Sequence, residues 1–391
     1  MMRIPDSEFQ QRVGKVQEIM KQEGFDILLS YGNEAEPQFV RYFSDYWPSF
    51  ETAAVLIPKT GKPMLLIGPE SYTYASDRSR IPDIRLMKTF RESSEPEYPG
   101  KQLDTFDSVF HECMGDTCIR KIGIAGFPLL TIGIYNDLME NLKPYGSVSV
   151  VKADHVVSAI RMIKTENELA CMRKAAEITK KTMDYVMENV HVGMTETQVV
   201  GLALGKMHEL GAERESYPLW VLTGTGSDQA ISRPRQKVIK PGDLTFFQFG
   251  ARYEGYASSI GRPVIFVKAT DSQKRLIEAG YTIQEDMLSF VKAGVPARDV
   301  AIRHKEIVKK LGMEDHYLYG PFHGNGLMEG EAPWVETDSD YLLKENMTFC
   351  SDIFLGSHQT QVGLRIEDVI RITVDGCENL TNYPRRLFEI I

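Results

Sequence analysis

The strongest constraint on the fold lies in two short phrases, Thr165-Glu-Asn-Glu168 and Thr195-Glu-Thr-Gln198. Both are capping boxes, in which the Thr hydroxyl and the Glu or Gln side chain satisfy each other's orphan amides at a helix start. The first launches an amphipathic helix to about Asn189 and the second a helix that stops at Gly211. A strand pair around a turn follows in residues 247–263, then helices at 271–292 and 297–310, the latter opened by Pro296. Strands around 347–354 and 363–373 complete the half. The order is helix pair, hairpin, helix pair, strands. It predicts a pseudo-symmetric sheet covered by helices, an α+β layer architecture, although the sequence carries no visible repeat.

The first half has a different texture. Residues 8–23 have apolar positions at helical spacing and end at Gly24, and a short apolar strand follows over 25–30. Two apolar runs, 53–58 and 63–67, flank Lys59-Thr-Gly-Lys62, where the glycine supplies the positive φ of a hairpin turn. Further strands at 121–125 and 148–151 describe an α/β unit that ends near residue 155. A chain of 391 residues is long enough for two cores, so domains are expected at 1–155 and 156–391.

Charge and cysteine usage narrow the partners. The 45 basic and 54 acidic residues give a net charge of −9 without any Lys/Arg run, which excludes nucleic acid and anionic membrane as expected partners. The five cysteines are odd in number and scattered, so neither a disulfide framework nor a zinc knuckle is indicated, and a cytoplasmic protein is expected. The start, Met-Met-Arg-Ile-Pro-Asp, lacks the apolar stretch of a signal peptide, and no apolar run reaches the ~18 residues of a membrane span. A small-molecule substrate is the expected partner.

Chemistry is concentrated in the second half. In Gly320-Pro-Phe-His-Gly-Asn-Gly326, glycines on both sides of His323 let the backbone approach a ligand. Alternate residues on a strand share a face, so Cys350 points with Asp352, and Arg365 with Glu367. Two carboxylates beside a histidine can bind a cation or divide acid and base roles. A Cys350–His323 pair offers a nucleophilic alternative, with an inert buried thiol as the commoner state. Arg262 and Arg365 are expected to pair with carboxylates, because an unpaired buried charge is costly. Trp334 and Trp220 are expected to wall a cleft.

Taken together, Ser158–Leu169, Lys240-Pro-Gly-Asp-Leu244, Gly255-Tyr256 with Arg262, His323-Gly-Asn-Gly-Leu327, Glu331-Ala-Pro333 and Gly363-Leu-Arg-Ile-Glu-Asp368 resemble the pita-bread family of aminopeptidase P, prolidase, methionine aminopeptidase and creatinase. Residues 155–375 carry the resemblance strongly, and residues 1–155 look like the smaller creatinase-like N-terminal domain. The implied fold class is a C-terminal pita-bread domain preceded by a smaller α/β domain.

The resemblance implies a ligand set for two divalent ions: two hairpin Asp, one His and two late Glu. Those positions fall here on Gln248, Ser259, His323, Asp352 and Glu367, so both hairpin carboxylates are missing. Each lost carboxylate removes a charge that neutralises a dication, and Gln or Ser gives a hard cation little in return. The histidine that precedes Glu331 in the family falls on Gly330, and the loop before the hairpin, Thr223–Pro234, has none. The expectation is therefore a metal-independent, creatinase-like hydrolase that cleaves a C–N bond in a small zwitterionic or cationic substrate, with no cofactor. The alternatives are an Xaa-Pro aminopeptidase or dipeptidase with a single Mn or Zn ion, and a binding module without activity. Expected catalytic residues are His323, Glu367 and Asp352; expected substrate-binding residues are Tyr256, Glu331, Arg365, Gln248, Ser259 and Trp47, the last by closing the neighbouring pocket of a homodimer.

Overall fold

Gly24 ends the first helix, Asp6–Glu23, in the left-handed region at φ 75°, where its amide closes on the Met20 carbonyl. The chain in this computed structural model is described over residues 3–92, 98, 100–115 and 118–391; Met1 and Met2, on which the reading of the N-terminus begins, lie outside the described residues. Six strands follow in the first half: β1 (Ile27–Gly32), β2 (Ala53–Pro58), β3 (Met64–Ile67), β4 (Ile84–Leu86), β5 (Lys121–Ala125) and β6 (Ser149–Lys152). They form one sheet in the order β4-β3-β2-β1-β5-β6. The β2–β3 hairpin is the predicted one, with Gly61 at φ 104°. Strands β1, β5 and β6 run parallel, and Phe106, Val109, Phe110, Ile134 and Leu138 from the crossover helices bury their faces on Ile122 and Ile124.

Ile4–Arg161 forms one compact unit and Met162–Ile391 the other. The division falls after Arg161 rather than near residue 155, because helix Asp154–Arg161 packs within the first unit.

The second unit opens as its capping boxes require. The Thr165 amide donates to Glu168 Oε2 at 2.7 Å while the Glu168 amide donates to Thr165 Oγ1 at 3.2 Å, and helix Glu166–Asn189 follows. Thr195 and Gln198 do the same for helix Glu196–Glu209. The strands are β7 (Arg214–Glu215), β8 (Trp220–Thr223), β9 (Leu244–Phe249), β10 (Ala251–Tyr253), β11 (Tyr256–Ala257), β12 (Ile260–Phe266), β13 (Phe322–Gly324), β14 (Glu331–Val335), β15 (Thr348–Ser357), β16 (Val362–Ile372), β17 (Cys377–Asn379) and β18 (Phe388–Ile390). The main sheet runs β14-β13-β15-β16-β12-β9-β8, with β17 on β16 and β18 on β12.

Alternation along these strands sorts apolar from polar. Phe247, Phe249, Ile260 and Val264 pack under the helix pair that ends at Glu209. Ile353, Leu355, Leu364 and Ile366 pack with helix Asp271–Phe290, whose partner is Ala297–Lys310. Both helix pairs thus take one set of alternate residues, and Gln248, Asp352, Arg365 and Glu367 belong to the other set, on the opposite face. Among the described residues, no helix is long and apolar enough to cross a membrane.

Candidate functional site

The register of the main sheet aligns the polar residues in a row. Trp220 pairs with Gln248, Gln248 with Gly261, Gly261 with Glu367, and Glu367 with Asp352. Directly opposed residues share a face, so these side chains stand side by side. Cys350, two residues before Asp352, faces the same way and is paired with His323 on β13. Gly261 leaves a notch in the row: a Cβ there would lie 3.0 Å from the Glu367 amide nitrogen, 3.1 Å from Glu367 Cβ and 3.3 Å from Arg365 Cγ.

Arg365 fills one end. Its Nη1 donates to Gln248 Oε1 at 2.6 Å and Nη2 to the Ala230 carbonyl at 3.0 Å and to the Tyr319 hydroxyl. Nε lies 3.2 Å from Asp352 Oδ1, and the guanidinium sits over the Trp220 ring at 4.6 Å. Tyr319 donates to Asp352 Oδ2 at 2.8 Å. Burial works against the guanidinium charge, but Asp352, Tyr319 and Glu367 outweigh it and hold Arg365 firmly protonated. Gln248 then uses its amide N–H to hold Glu367 Oε2.

The other end is arranged differently. His323 Nδ1 lies 3.2 Å from the Gly324 carbonyl, which can only accept, so the neutral ring carries its hydrogen there and presents a lone pair at Nε2. That nitrogen faces Glu329 Oε1 at 3.7 Å, beyond hydrogen-bond range. The same Oε1 is 3.8 Å from the thiol of Cys350, which is fully buried. Glu367, also fully buried, has no donor to its Oε1. One ligand atom from each of His323, Glu329, Cys350 and Glu367 falls within 4.8 Å of the others. Burial, then the charges of Glu329 and Asp352, push the Glu367 carboxyl well up, and burial raises Glu329 as well. Cys350 is raised by burial and by Glu367 and Glu329, which argues against a free thiolate nucleophile at neutral pH.

The remaining expected site residues are distributed around this row. Ser259 shares a 2.8 Å hydrogen bond with the Tyr217 hydroxyl. Tyr256 donates to Glu168 at 2.8 Å, so it ties the hairpin to the first helix of the unit. Glu331, expected to bind substrate, instead bonds Lys164 at 3.1 Å and the Met328 amide at 3.1 Å. Arg262 is paired with Asp368 at 2.8 and 3.0 Å. Trp47 belongs to the first unit, where its indole donates to the Glu34 carbonyl at 2.9 Å. Tyr319 and Tyr217 were not among the residues that sequence reasoning picks out. Tyr319, four residues before His323, carries no spacing signal of its own.

Two divalent ions do not fit these residues. Gln248 and Ser259 bring no charge, Asp352 is engaged by Arg365 and Tyr319, and the guanidinium adds positive charge where a second dication would need negative. One ion does fit the His323 end, where a nitrogen lone pair, two carboxylates and a thiol converge with no donor between Nε2 and Glu329 Oε1.

Comparison with known proteins agrees with this fold. Residues 170–374 match the model for metallopeptidase family M24, and residues 12–163 match the creatinase/prolidase N-terminal domain. The chain belongs to metallopeptidase family M24. It is 27% identical over 380 residues to an Xaa-Pro dipeptidase of Pyrococcus furiosus, covering 96% of this chain and 99% of that protein. The solved prolidase of Pyrococcus horikoshii superposes with a TM-score of 0.82 at 25% identity, covering 97% and 100% of the two chains. An X-Pro aminopeptidase of Thermotoga maritima shares the fold, with a TM-score of 0.83 at 23% identity over 97% and 99%.

These findings overturn the expectation of a metal-independent, creatinase-like hydrolase without a cofactor. The family is one of metallopeptidases, and the named relatives are Xaa-Pro peptidases. The expectation counted the two missing hairpin carboxylates but not Glu329 and Cys350, whose ligand atoms lie with those of His323 and Glu367 in a group that could hold an ion.

Proposed function

We propose that the chain is a peptidase of the Xaa-Pro dipeptidase type, which hydrolyses the amide bond before proline in a short peptide with one divalent ion. The observation that carries this reading is Glu367: fully buried, held at Oε2 by Gln248, and left without a donor at Oε1 beside His323. His323 and Glu367 would hold the ion. When bound, it would polarise the scissile carbonyl and lower the pKa of a water molecule.

The protein's own groups set the stage for that chemistry. Asp352 and Tyr319 fix Arg365, Arg365 fixes the Gln248 carbonyl, and the Gln248 amide orients Glu367, in the manner of outer-shell partners that aim a ligand. Arg365 is committed to Gln248, Ala230, Tyr319 and Asp352, so its role is positioning. Burial and the negative charges of Glu367 and Glu329 keep the Tyr217 hydroxyl protonated, so it can serve as a hydrogen-bond donor to a developing oxyanion. Homodimeric assembly and a cytoplasmic location belong to the same reading.

The test is proline release from a panel of Xaa-Pro dipeptides before and after chelation. Activity lost with chelator and restored by one equivalent of Mn²⁺, Co²⁺ or Zn²⁺ is expected. No proline release with any of the three ions would refute the reading.

A further inference from the structure

The single-ion reading leaves open which atoms complete the coordination. We propose that the ion is bound by His323 Nε2, Glu367 and two residues outside the family's ligand positions, the Glu329 carboxylate and the Cys350 thiolate. The site is then a mixed nitrogen, oxygen and sulfur centre that selects borderline-soft ions such as Zn²⁺ or Co²⁺ over Mn²⁺. This inference rests on the peptidase reading only for the presence of an ion, and its test separates the two.

Three observations carry it. The first is spacing. Donors ~2.0–2.3 Å from a tetrahedral ion lie roughly 3.3–3.8 Å from one another. His323 Nε2 to Glu329 Oε1 is 3.7 Å and Cys350 Sγ to Glu329 Oε1 is 3.8 Å. The first is too long for a hydrogen bond, the second is the weak S–H···O contact of the buried thiol, and both match the edges of a coordination tetrahedron. The second is topology. Cys350 is opposite His323 on β15 and on the same face as Asp352, so the sheet itself sets the sulfur beside the imidazole. The third is the sequence around Glu329. The family histidine that precedes Glu331 is Gly330 here, and a Cβ on Gly330 would lie 3.9 Å from His323 Nδ1, so this position borders the imidazole. The neighbouring Glu329 brings its carboxylate to His323 and Cys350 instead.

The charge balance supports the choice of ion. Two carboxylates and a thiolate more than neutralise a dication, leaving one net negative charge, with Arg365 offset by Asp352 next to them. Binding forms a metal–sulfur bond and releases to solvent the Cys350 proton together with any proton held by the Glu367 and Glu329 carboxyls; nothing is oxidised or reduced. Thiolate ligands favour Zn²⁺, whereas all-oxygen sites suit Mn²⁺.

The experiment titrates Co²⁺ into the metal-free full-length protein and follows absorption. One equivalent should bind, with a thiolate-to-cobalt charge-transfer band in the near ultraviolet and at least one proton released. Cys350→Ser should lose the band, and Glu329→Gln should keep it while binding at least about 10-fold more weakly, the loss that outer-shell partners alone can cause. Zn²⁺ should displace Co²⁺ and Mn²⁺ should not. One equivalent bound without a sulfur band would overturn the inference and leave the single-ion peptidase standing. Two equivalents would overturn it too, since Arg365 would then not exclude a second ion. No Co²⁺ binding would overturn the inference, and the separate proline-release assay would decide the peptidase reading. If Cys350→Ser fails to fold, the wild-type band and its loss on adding Zn²⁺ still decide.

Discussion

The two ends of the polar row solve the same electrostatic problem in opposite ways. At the Arg365 end every buried charge has a partner: guanidinium against Asp352, Gln248 bridging to Glu367, Tyr319 capping the carboxylate. At the His323 end Nε2 and Glu329 Oε1 stand 3.7 Å apart, the Cys350 thiol is a weak donor to Glu329, and Glu367 Oε1 has no donor. Buried charges are normally paired, so an end whose charges are paired reads as architecture, and one where two carboxylates stand without an Arg or Lys counter-charge reads as a binding site.

The largest effect should come from breaking the satisfied end. Arg365→Met leaves Asp352 buried without its counter-ion, and loss of one partner from a buried pair costs about 3–5 kcal/mol. Adding Asp352→Asn should return a large part of that loss, because both charges are then gone. Urea unfolding of wild type, both single variants and the double variant measures the coupling. If Arg365→Met stays within about 1 kcal/mol of wild type, the pair is solvated and the contrast between the two ends disappears.

His304 serves as a control, because it is buried and, among the described residues, neither ring nitrogen has a hydrogen-bond partner. Both ring nitrogens lack hydrogen bonds, Tyr317 packs against the ring, and burial, helped by Lys305, lowers its pKa to about 4 from 6.5. The unfolded chain therefore binds the proton more readily than the folded one between those values. Stability is fully present above pH 6.5 and falls as the pH drops toward about 4, by about 3 kcal/mol in total. His304→Leu should remove that share of the acid sensitivity and make the variant the more stable protein at pH 5. An unchanged difference between wild type and variant from pH 7 to pH 5 would show that the ring is not desolvated.

The elements were legible where local chemistry dictates them. Thr165 and Thr195 cap their helices, Gly24 and Gly61 take the expected positive φ, and the faces shared by Cys350 with Asp352 and by Arg365 with Glu367 follow from strand alternation. The outcome at the site was not legible, because it depends on long-range register. Asp352, one methylene short of the family Glu, reads from sequence as a weakened ligand; in the fold it is the counter-ion of Arg365. Glu329 does not stand out in the sequence, and only the β13–β14 connection sends it to Cys350 while Glu331 turns to Lys164. Loss of Gln248 and Ser259 as carboxylates was visible, but the compensating donors sit at positions that no alignment of family ligands would pick out. That is why a metal-free reaction seemed to follow from the sequence.

The mildest test acts between the two ends. Gly261 separates Gln248 from Glu367 in the row, and a methyl there would press on the Glu367 backbone at 3.0 Å, its Cβ at 3.1 Å and Arg365 Cγ at 3.3 Å. These contacts are tight and lie at or next to the strand backbone, on Glu367 N and Cβ and on Arg365 Cγ, so Gly261→Ala should cost about 1–3 kcal/mol as an overpacked site. Because the displaced groups are Glu367 and Arg365 together, the same variant should also bind the ion more weakly, even where it remains folded. Gly280→Ala is the matching control on the helix side of the sheet, where a Cβ would meet Ile366 Cδ1 at 2.7 Å and Leu364 Cδ1 at 3.2 Å. It should lose stability without loss of ion affinity, since only flexible side-chain ends must move. If both variants weaken ion binding equally, the effect is general loosening of the sheet, and the row through Gly261 does not couple the guanidinium to the ligand carboxylate.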